Sequence, residues 1–230
     1  MPSGRLDALL ADLGPELRRG SALPSARANA PAPRRASGLP AIDALCGGGI
    51  PADRLTEITG PLSSGRTSVA LALIARTTAA GELAAVVDPA DAFDPASAEV
   101  AGADLDRVLW VRTGGGWREA LRAVERLLET EGIPLVVLDA SGPAPSSLRA
   151  GPPAAWTRLA RLCAGTRSAL VVLSEQRLTG PQAELVLALQ GASPRFTGSP
   201  PLLEATRLRA AVVRRRGSAE RDTRAAQEAS

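Results

Sequence analysis

A glycine-bounded loop between an apolar segment and an Ala/Leu-rich segment holds the residues best suited to chemistry. Residues 60–67 have the sequence GPLSSGRT, which follows the phosphate-binding pattern G-x-x-x-x-G-K-[ST] except that Arg66 stands where the pattern has lysine. Such a loop binds phosphate oxygens through backbone N–H groups and through the positive end of the helix that follows it. The candidate phosphate-binding residues are Gly60, Ser63, Ser64, Gly65, Arg66, Thr67 and Ser68.

Two oxygen-bearing side chains are candidates for a magnesium ion beside this loop. Thr67 would place its hydroxyl on Mg²⁺, and a carboxylate at the end of a neighbouring strand would hold the water shell of the metal. Asp139 ends IPLVVLD, the most apolar segment of the chain, and is therefore the candidate carboxylate. The alternative for Asp139 is a polar residue that only caps a strand where it enters a loop.

Arg66 raises the question whether the loop still serves nucleotide chemistry. Arginine is longer, planar and branched, so it is not a conservative replacement for lysine at a shaped phosphate site. The chain has no lysine, and all 27 basic residues are arginine, as is typical of a GC-rich coding sequence. Two explanations stay open: Arg66 arose by drift after nucleotide chemistry lost its importance, or it retains partial binding. We favour drift, because a working ATPase would resist this replacement.

A regular alternation of strands and helices surrounds the loop. Apolar runs predict buried strands at Leu55–Thr59, Leu83–Asp88, Arg107–Arg112, Ile133–Asp139 and Ala169–Ser174, and helices at Thr67–Ala80, Pro95–Ala101, Gly116–Thr130 and Ala154–Ala164. Such runs are typical of a mostly parallel sheet that helices cover on both faces. Two further strands, Leu185–Leu189 and Leu208–Val213 with a Gly/Pro-rich connection, predict an antiparallel edge. The expected fold class is therefore α/β.

Three parts are expected along the 230 residues. Residues 1–36 comprise an amphipathic helix, Leu6–Arg19, and a linker rich in Pro, Ala and Ser over Gly20–Ser37. Residues 37–216 form the core domain, and the polar tail 217–230 is expected to be disordered.

Charge and cysteine usage limit the classes of function. The net charge is +3, with arginine clusters at 18–19, 34–35 and 214–216 that suit phosphate or an acidic partner, or that are simply solvated ends of elements. Cys46 and Cys163 are too few and too far apart for a metal site. The first residues lack the apolar core of a signal peptide, and no apolar run reaches the length of a membrane span. We therefore expect a cytoplasmic protein without membrane contact.

Two segments carry a resemblance to bacterial RecA. SGLPAIDALCGGGIPADRLTEITGPLSSGRTSVALALIA, residues 37–75, resembles the RecA core in its GPxSSG loop and in the glycines before it. VVDPADAFDPASAEVAGADLDRVLW, residues 86–110, is similar to the following strand, loop and helix. The resemblance covers about 37–176 and indicates a RecA-like core. Within that family the chain is most similar to the ImuA proteins, the RecA-like accessory proteins of inducible mutagenesis cassettes.

The resemblance also exposes losses. The position of the catalytic glutamate of RecA, which orients the attacking water, falls at Ala90, and Asp91 is one residue out of register. Asp139 keeps the metal-side carboxylate, and Gln176 matches the glutamine through which RecA couples nucleotide to a DNA loop. The two DNA-binding loops are reduced to a Pro/Gly loop after Asp139 and to about Arg177–Gln182. ATP and Mg²⁺ are therefore expected to bind weakly at most, and no catalytic residue is assigned.

The resemblance implies a non-catalytic accessory protein of the SOS-type DNA damage response and translesion synthesis. Its partners would be RecA, a Y-family polymerase homologue and an error-prone replicative polymerase. The alternatives are a weak DNA-stimulated ATPase and a cell-division inhibitor of the SulA type, although SulA chains have lost more of the phosphate loop. Direct contact with DNA is expected to be weak and salt-sensitive, because few aromatic residues offer a stacking surface.

Overall fold

The fold is visible in a computed structural model that describes residues 33–114, 116–141, 153–199 and 202–215. The chain divides into two units, 1–32 and 33–230, and all described residues belong to the second. The predicted helix Leu6–Arg19, the predicted tail Gly217–Ser230 and most of the predicted Pro/Gly loop after Asp139 lie outside the described residues.

Seven strands form the main sheet. They are β3 (Leu55–Thr59), β4 (Ala84–Asp88), β5 (Val108–Arg112), β6 (Leu135–Ala140), β7 (Ala169–Ser174), β8 (Leu185–Thr197) and β9 (Leu202–Arg215). Their order is β5-β4-β6-β7-β3-β8-β9, and every pair is parallel except β8 and β9, which are antiparallel. The predicted α/β class with a mostly parallel sheet and an antiparallel edge is confirmed.

Helices cover both faces of this sheet. They are α1 (Pro40–Cys46), α2 (Arg66–Ala79), α3 (Pro95–Val100), α4 (Trp117–Glu129) and α5 (Pro153–Thr166), with short 3-10 turns at Leu105–Arg107 and Gly180–Gln182. One buried cluster joins α1, α2 and α3 to one face, and a second joins α4 and α5 to the other. Alternate residues of β6 enter the two clusters, Val137 the first and Val136 the second. A continuous apolar strand is therefore what this position requires.

Local sequence signals begin and end the helices. Asp94 caps α3 by accepting hydrogen bonds from the N–H groups of Ala96 and Ser97, and Pro95 occupies the first helical position. Gly47 ends α1 in the left-handed conformation, with φ of 76°. In α4 every fourth residue, Ala120, Val124 and Leu128, is fully buried. These signals explain why the predicted helices agree with the observed ones to within one or two residues.

The antiparallel edge is longer than predicted. The strands predicted as Leu185–Leu189 and Leu208–Val213 extend to Thr197 and back to Leu202, and the predicted Gly/Pro-rich connection is mostly strand. Pairing of β8 with β3 stops at Ala188, so the outer half of the hairpin pairs only with itself. The residues beyond the predicted strands, 190–197 and 202–207, contain no long apolar run from which a strand could be predicted.

The last residues of the predicted linker, Gly20–Ser37, belong to the core and not to a linker. Arg34 and Arg35 form a short strand, β1, that pairs with β2 (Ile50–Pro51). Arg35 also pairs with Glu82. These backbone and side-chain bonds attach the last linker residues to the core.

None of the helices among the described residues combines the length and the apolar character that a membrane span requires.

Candidate phosphate-binding site

The glycine loop joins the end of β3 to the start of α2, near the middle of the sheet. Gly60 lies so close to β8 that a Cβ there would be 2.5 Å from the Leu189 oxygen, and its N–H donates to Ser174 O at 3.2 Å. Gly65, with φ of 92°, turns the chain into α2 in a conformation that favours glycine. Ser63 also has a positive φ of 59°. Close approach and backbone turning thus account for both glycines of the motif.

The loop and helix start carry unsatisfied polar groups. The first N–H groups of a helix have no acceptor within the helix, and no described side chain caps this end of α2. Ser64 is 1% exposed and Arg66 5% exposed, yet neither Ser64 Oγ nor Arg66 Nη1 has a hydrogen-bond partner. Buried polar atoms without partners are costly and call for an explanation. Donors gathered at a helix N-terminus are what a bound anion would satisfy.

Arg66 lies within the electrostatic reach of two carboxylates. Burial lowers the pKa of the Arg66 guanidinium, and the negative charges of Asp139 and Glu175 oppose that decrease. Asp139 lies in β6, half-buried, and accepts a hydrogen bond from Ser141 N at 2.9 Å. Glu175 is exposed and directly follows β7, the strand between β3 and β6. The carboxyl ends of these three strands therefore bring Arg66, Asp139 and Glu175 to one edge.

Thr67 and Asp139, the two predicted magnesium ligands, both lie at this edge of the sheet. Thr67 is exposed in the first turn of α2, so its hydroxyl is accessible. Asp139 is half-buried near the end of β6, and its negative charge acts on the Arg66 guanidinium. Among the described residues, no group of three or more His, Cys, Asp or Glu side chains could hold a metal. The roles of Thr67 and Asp139 at a magnesium ion therefore stay predictions.

The segment between β4 and α3 offers no free carboxylate. Ala90 has none, and Asp91 forms a two-pronged ion pair with Arg112, which lowers the pKa of Asp91. Asp88 is fully buried and accepts from Ala92 N (3.0 Å), Phe93 N (2.8 Å) and Trp110 Nε1 (3.1 Å).

The third aspartate of this segment, Asp94, is occupied as the cap of α3. All three carboxylates of this segment therefore form hydrogen bonds within the chain.

Sequence reasoning missed the role of Glu57. This carboxylate lies in the middle of β3, is fully buried, and accepts hydrogen bonds from Leu178 N (2.5 Å), Thr179 N (3.3 Å), Thr179 Oγ1 (2.6 Å) and Ser174 Oγ (3.3 Å). It thereby fixes the segment that follows β7. The signal was present in the sequence, because a strand with neighbours on both sides and helices on both faces has no solvent-facing position for an unpaired carboxylate.

The segment fixed by Glu57 carries Gln176, the last predicted site residue. Gln176 is exposed just beyond β7, on the same edge as the loop. The predicted short loop, Arg177–Gln182, is compact: Arg177 donates to Gly180 O at 2.9 Å and a 3-10 turn closes it. The structure thus gathers the loop residues, Asp139 and Gln176 at one edge. Their binding roles stay predictions.

The fold and this edge define an α/β protein built around a strand, a glycine loop and a helix. The sequence matches the RecA N-terminal domain family over residues 10–146, more than half of the chain. The chain belongs to this family.

Three relatives illustrate the extent of the similarity, all described as Protein RecA. That of Synechocystis sp. is 38% identical over 103 residues, which make up 45% of this chain and 29% of that protein. That of Gloeothece citriformis is 41% identical over 103 residues, with the same coverage of 45% and 29%. That of Lactobacillus delbrueckii subsp. bulgaricus is 41% identical over 104 residues, 45% of this chain and 31% of that protein. The chain spans less than a third of the length of these curated relatives.

Proposed function

We propose that this member of the RecA N-terminal domain family is a non-catalytic accessory protein of damage-induced translesion DNA synthesis. It would act in the cytoplasm, bind RecA, and join RecA to a Y-family polymerase homologue and an error-prone replicative polymerase. The observation that carries the proposal is the engagement of every carboxylate in the segment 88–94, where Ala90 replaces the water-orienting residue. Loss of a general base typically lowers a rate by about 10²- to 10⁴-fold.

Retention of the fold supports a binding role. The chain forms the sheet and the glycine loop of a RecA-like core, whereas the position of the water-orienting residue holds Ala90. A chain that keeps a family fold and loses its chemistry is suited to recognition by its own relatives. Docking on RecA in the manner of a neighbouring subunit is therefore the mode of action that we propose.

The partner surfaces that we propose lie at the two ends of the chain. The N-terminal surface comprises residues 1–32, and its end coincides with the boundary between the two units of the chain. The C-terminal surface starts at Arg216, because Arg214 and Arg215 complete β9 and bond to Gly180 O and Leu45 O. A truncation should therefore spare residues up to 215.

Pull-down assays with purified RecA and the polymerase homologue test this proposal. We expect full-length protein to bind both, and deletion of 1–32 or of 216–230 to remove at least one. An internal control is Val100→Ser, since Val100 is 90% exposed on α3 and far in sequence from both ends. Binding of both truncated proteins at full strength would reject these surfaces. Failure of the full-length protein to bind RecA would reject the function itself.

A slow DNA-stimulated ATPase is the second candidate. The unpartnered Ser64 hydroxyl and Arg66 guanidinium favour it, because both would be satisfied by phosphate. Hydrolysis that falls when Thr67 or Asp139 is changed would support this enzyme. Contact with DNA would remain weak and salt-sensitive in either case, since few aromatic residues offer a stacking surface.

A further inference from the structure

A groove of about 350 Å³ lies beside α5, at the opposite end of β3 from the glycine loop. Arg54 and Leu55 line the groove where β3 begins, whereas the loop follows Thr59, where β3 ends. The five residues of the strand separate the groove from the loop by about 15 Å, because each residue rises about 3.3 Å. The groove is therefore a different site from the candidate phosphate-binding site.

Two walls of different origin line this groove. One wall is a side of α5, which contributes Ala160, Arg161 and Ala164. The other wall is the segment that enters β8, which contributes Gln182 and Glu184. The backbone N–H of Glu184 donates to the backbone oxygen of the first residue of β3 at 2.8 Å, so this wall is fixed to the sheet. The shape of the groove is thus set by a helix, a strand and a backbone hydrogen bond.

The polar side chains of the two walls are not paired with one another. Among the described residues, the side chains of Arg161, Gln182 and Glu184 form no hydrogen bond and no ion pair. Arg54 differs, because its Nη1 lies 2.7 Å from Oδ2 and 2.9 Å from the backbone oxygen of Asp53. Arg161 and Glu184 therefore place opposite charges on opposite walls without neutralising each other. A ligand that satisfies both must offer an acceptor to the guanidinium and a donor to the carboxylate.

The charges of the groove favour a carboxylate ligand over a phosphate. A phosphate would bring about two negative charges close to Glu184, whereas a carboxylate brings one and can bind a guanidinium through two parallel hydrogen bonds. The donor that Glu184 requires accompanies the carboxylate when both belong to the last residue of a peptide, because that residue also has a backbone N–H. The methyl groups of Ala160 and Ala164 offer a small apolar surface for its side chain.

We propose that this groove binds the C-terminal carboxylate of a peptide or protein partner. Arg161 binds the carboxylate, Glu184 accepts the backbone N–H of the last residue, and Gln182 bonds to the preceding peptide group. The space is at the lower end of the range for ligand sites, so it holds a short chain end with a small aliphatic last residue. This inference does not depend on the accessory role proposed above.

Titration of the isotope-labelled full-length chain with acetyl-Ala-Ala, followed by nuclear magnetic resonance, tests this inference. We expect the backbone signals of Ala160, Arg161 and Glu184 to shift with a Kd of about 1 mM, because so short a probe buries little surface. Acetyl-Ala-Ala amide lacks the negative charge and should bind at least about tenfold more weakly. Free alanine lacks the peptide N–H and the preceding peptide group, and it should also bind at least about tenfold more weakly.

Matched variants separate the groove from the rest of α5. Arg161→Met removes the unpaired cation and should weaken the binding of acetyl-Ala-Ala at least about tenfold. The control is Arg158→Met, which should leave the affinity within about twofold, because Arg158 lies on the same helix but pairs with Glu125 of α4. Ala164→Leu, at an exposed position, fills part of the groove without removing a charge and should weaken binding even if Arg161→Met does not fold.

Three results would overturn the inference. Equal binding of acetyl-Ala-Ala and its amide would show that the groove does not recognise a carboxylate. Binding of free alanine as tight as that of acetyl-Ala-Ala would assign the groove to an amino acid instead of a chain end. The third result is the absence of any shift in the groove signals at about 20 mM acetyl-Ala-Ala. None of these results bears on the accessory role, which hydrolysis or a failure to bind RecA would reject.

Discussion

Thr179 binds Glu57 through both its hydroxyl, 2.6 Å from Oε2, and its backbone N–H, 3.3 Å from Oε1, although 122 positions separate the two residues. The contact joins β3, which leads into the glycine loop, to the segment that carries Gln176. Since Glu57 is fully buried, its carboxylate depends on these donors for the hydrogen bonds that water would otherwise provide. The two sides of the candidate site are therefore held by one side chain.

Removing this carboxylate should destabilise the whole domain. In Glu57→Ala the partly buried N–H of Leu178 and the buried N–H of Thr179 lose their acceptor, and we expect a loss of about 3 kcal/mol in the free energy of unfolding. The matched control is Glu184→Ala, because the Glu184 side chain makes no hydrogen bond to a described residue. Urea denaturation measures both, and equal small losses in the two variants would show that Glu57 does not hold the segment.

Asp88 and Asp91 should differ sharply in their contribution to the free energy of unfolding. Asp88→Ala removes a buried acceptor of three hydrogen bonds and should cost about 2–3 kcal/mol, with a shift of the Trp110 fluorescence that reports on the lost indole bond. Asp91→Ala breaks an exposed pair with Arg112 and should leave the free energy of unfolding nearly unchanged. A larger loss of unfolding free energy in Asp91→Ala than in Asp88→Ala would contradict these assigned contacts.

The absence of a side chain at Gly60 is a packing requirement. The Cβ of Gly60→Ala would lie 2.5 Å from Leu189 O and 2.6 Å from Ser64 Oγ, so the loop and β8 must separate. We expect a loss of about 1–3 kcal/mol, typical of overpacking. Gly165→Ala in α5 is the control, since nothing lies within 4 Å of its added Cβ and alanine favours a helix. Equal midpoints of thermal denaturation for the two variants would contradict the close approach of Gly60 to Leu189 O.

The two thiols should make the protein sensitive to alkali. Burial raises the pKa of Cys46 from the ordinary 9.0 to about 11 and that of Cys163 to about 12. The folded protein keeps its full stability below pH 9 with respect to these thiols. It loses free energy of unfolding as the pH rises towards these values, because the thiols ionise first in the unfolded chain. We expect each thiol to account for on the order of 2 kcal/mol by about pH 11.

This alkaline effect can be isolated because the chain has neither lysine nor tyrosine to titrate in the same range. Urea unfolding in the presence of a reductant, from about pH 8 to about pH 11, measures the loss. A chain with both Cys46→Ala and Cys163→Ala should lose most of this pH dependence. An unchanged slope in that double variant would assign the effect to other groups.

The central part of the fold follows from its sequence because burial leaves a strong pattern. β7 lies between two strands, and its run ALVVLS is predicted to the residue at both ends. The same pattern predicts α2 to within one residue at each end. Glycines at 60 and 65 mark the loop, since one meets a neighbouring strand and the other adopts a left-handed conformation.

The remaining features depend on contacts that local sequence does not contain. The outer part of β8 and β9 pairs only within its own hairpin, and its sequence contains no long apolar run. Arg34 and Arg35 belong to the core only because β2 offers them a partner. The electrostatic effect of Glu175 on Arg66 follows from the strand order β3-β7-β6, which brings the ends of two distant segments to the same edge as the loop.

The most direct test of the central claim is the rate of ATP hydrolysis by the full-length chain with Mg²⁺ and single-stranded DNA. We predict no hydrolysis above that of matched Thr67→Ala and Asp139→Asn chains, because Ala90 carries no carboxylate and Asp91 is held by Arg112. An additional chain with Arg66→Lys and Ala90→Glu shows whether the restored groups are what the site lacks. Hydrolysis by the wild type that disappears in Thr67→Ala and Asp139→Asn would contradict a non-catalytic role.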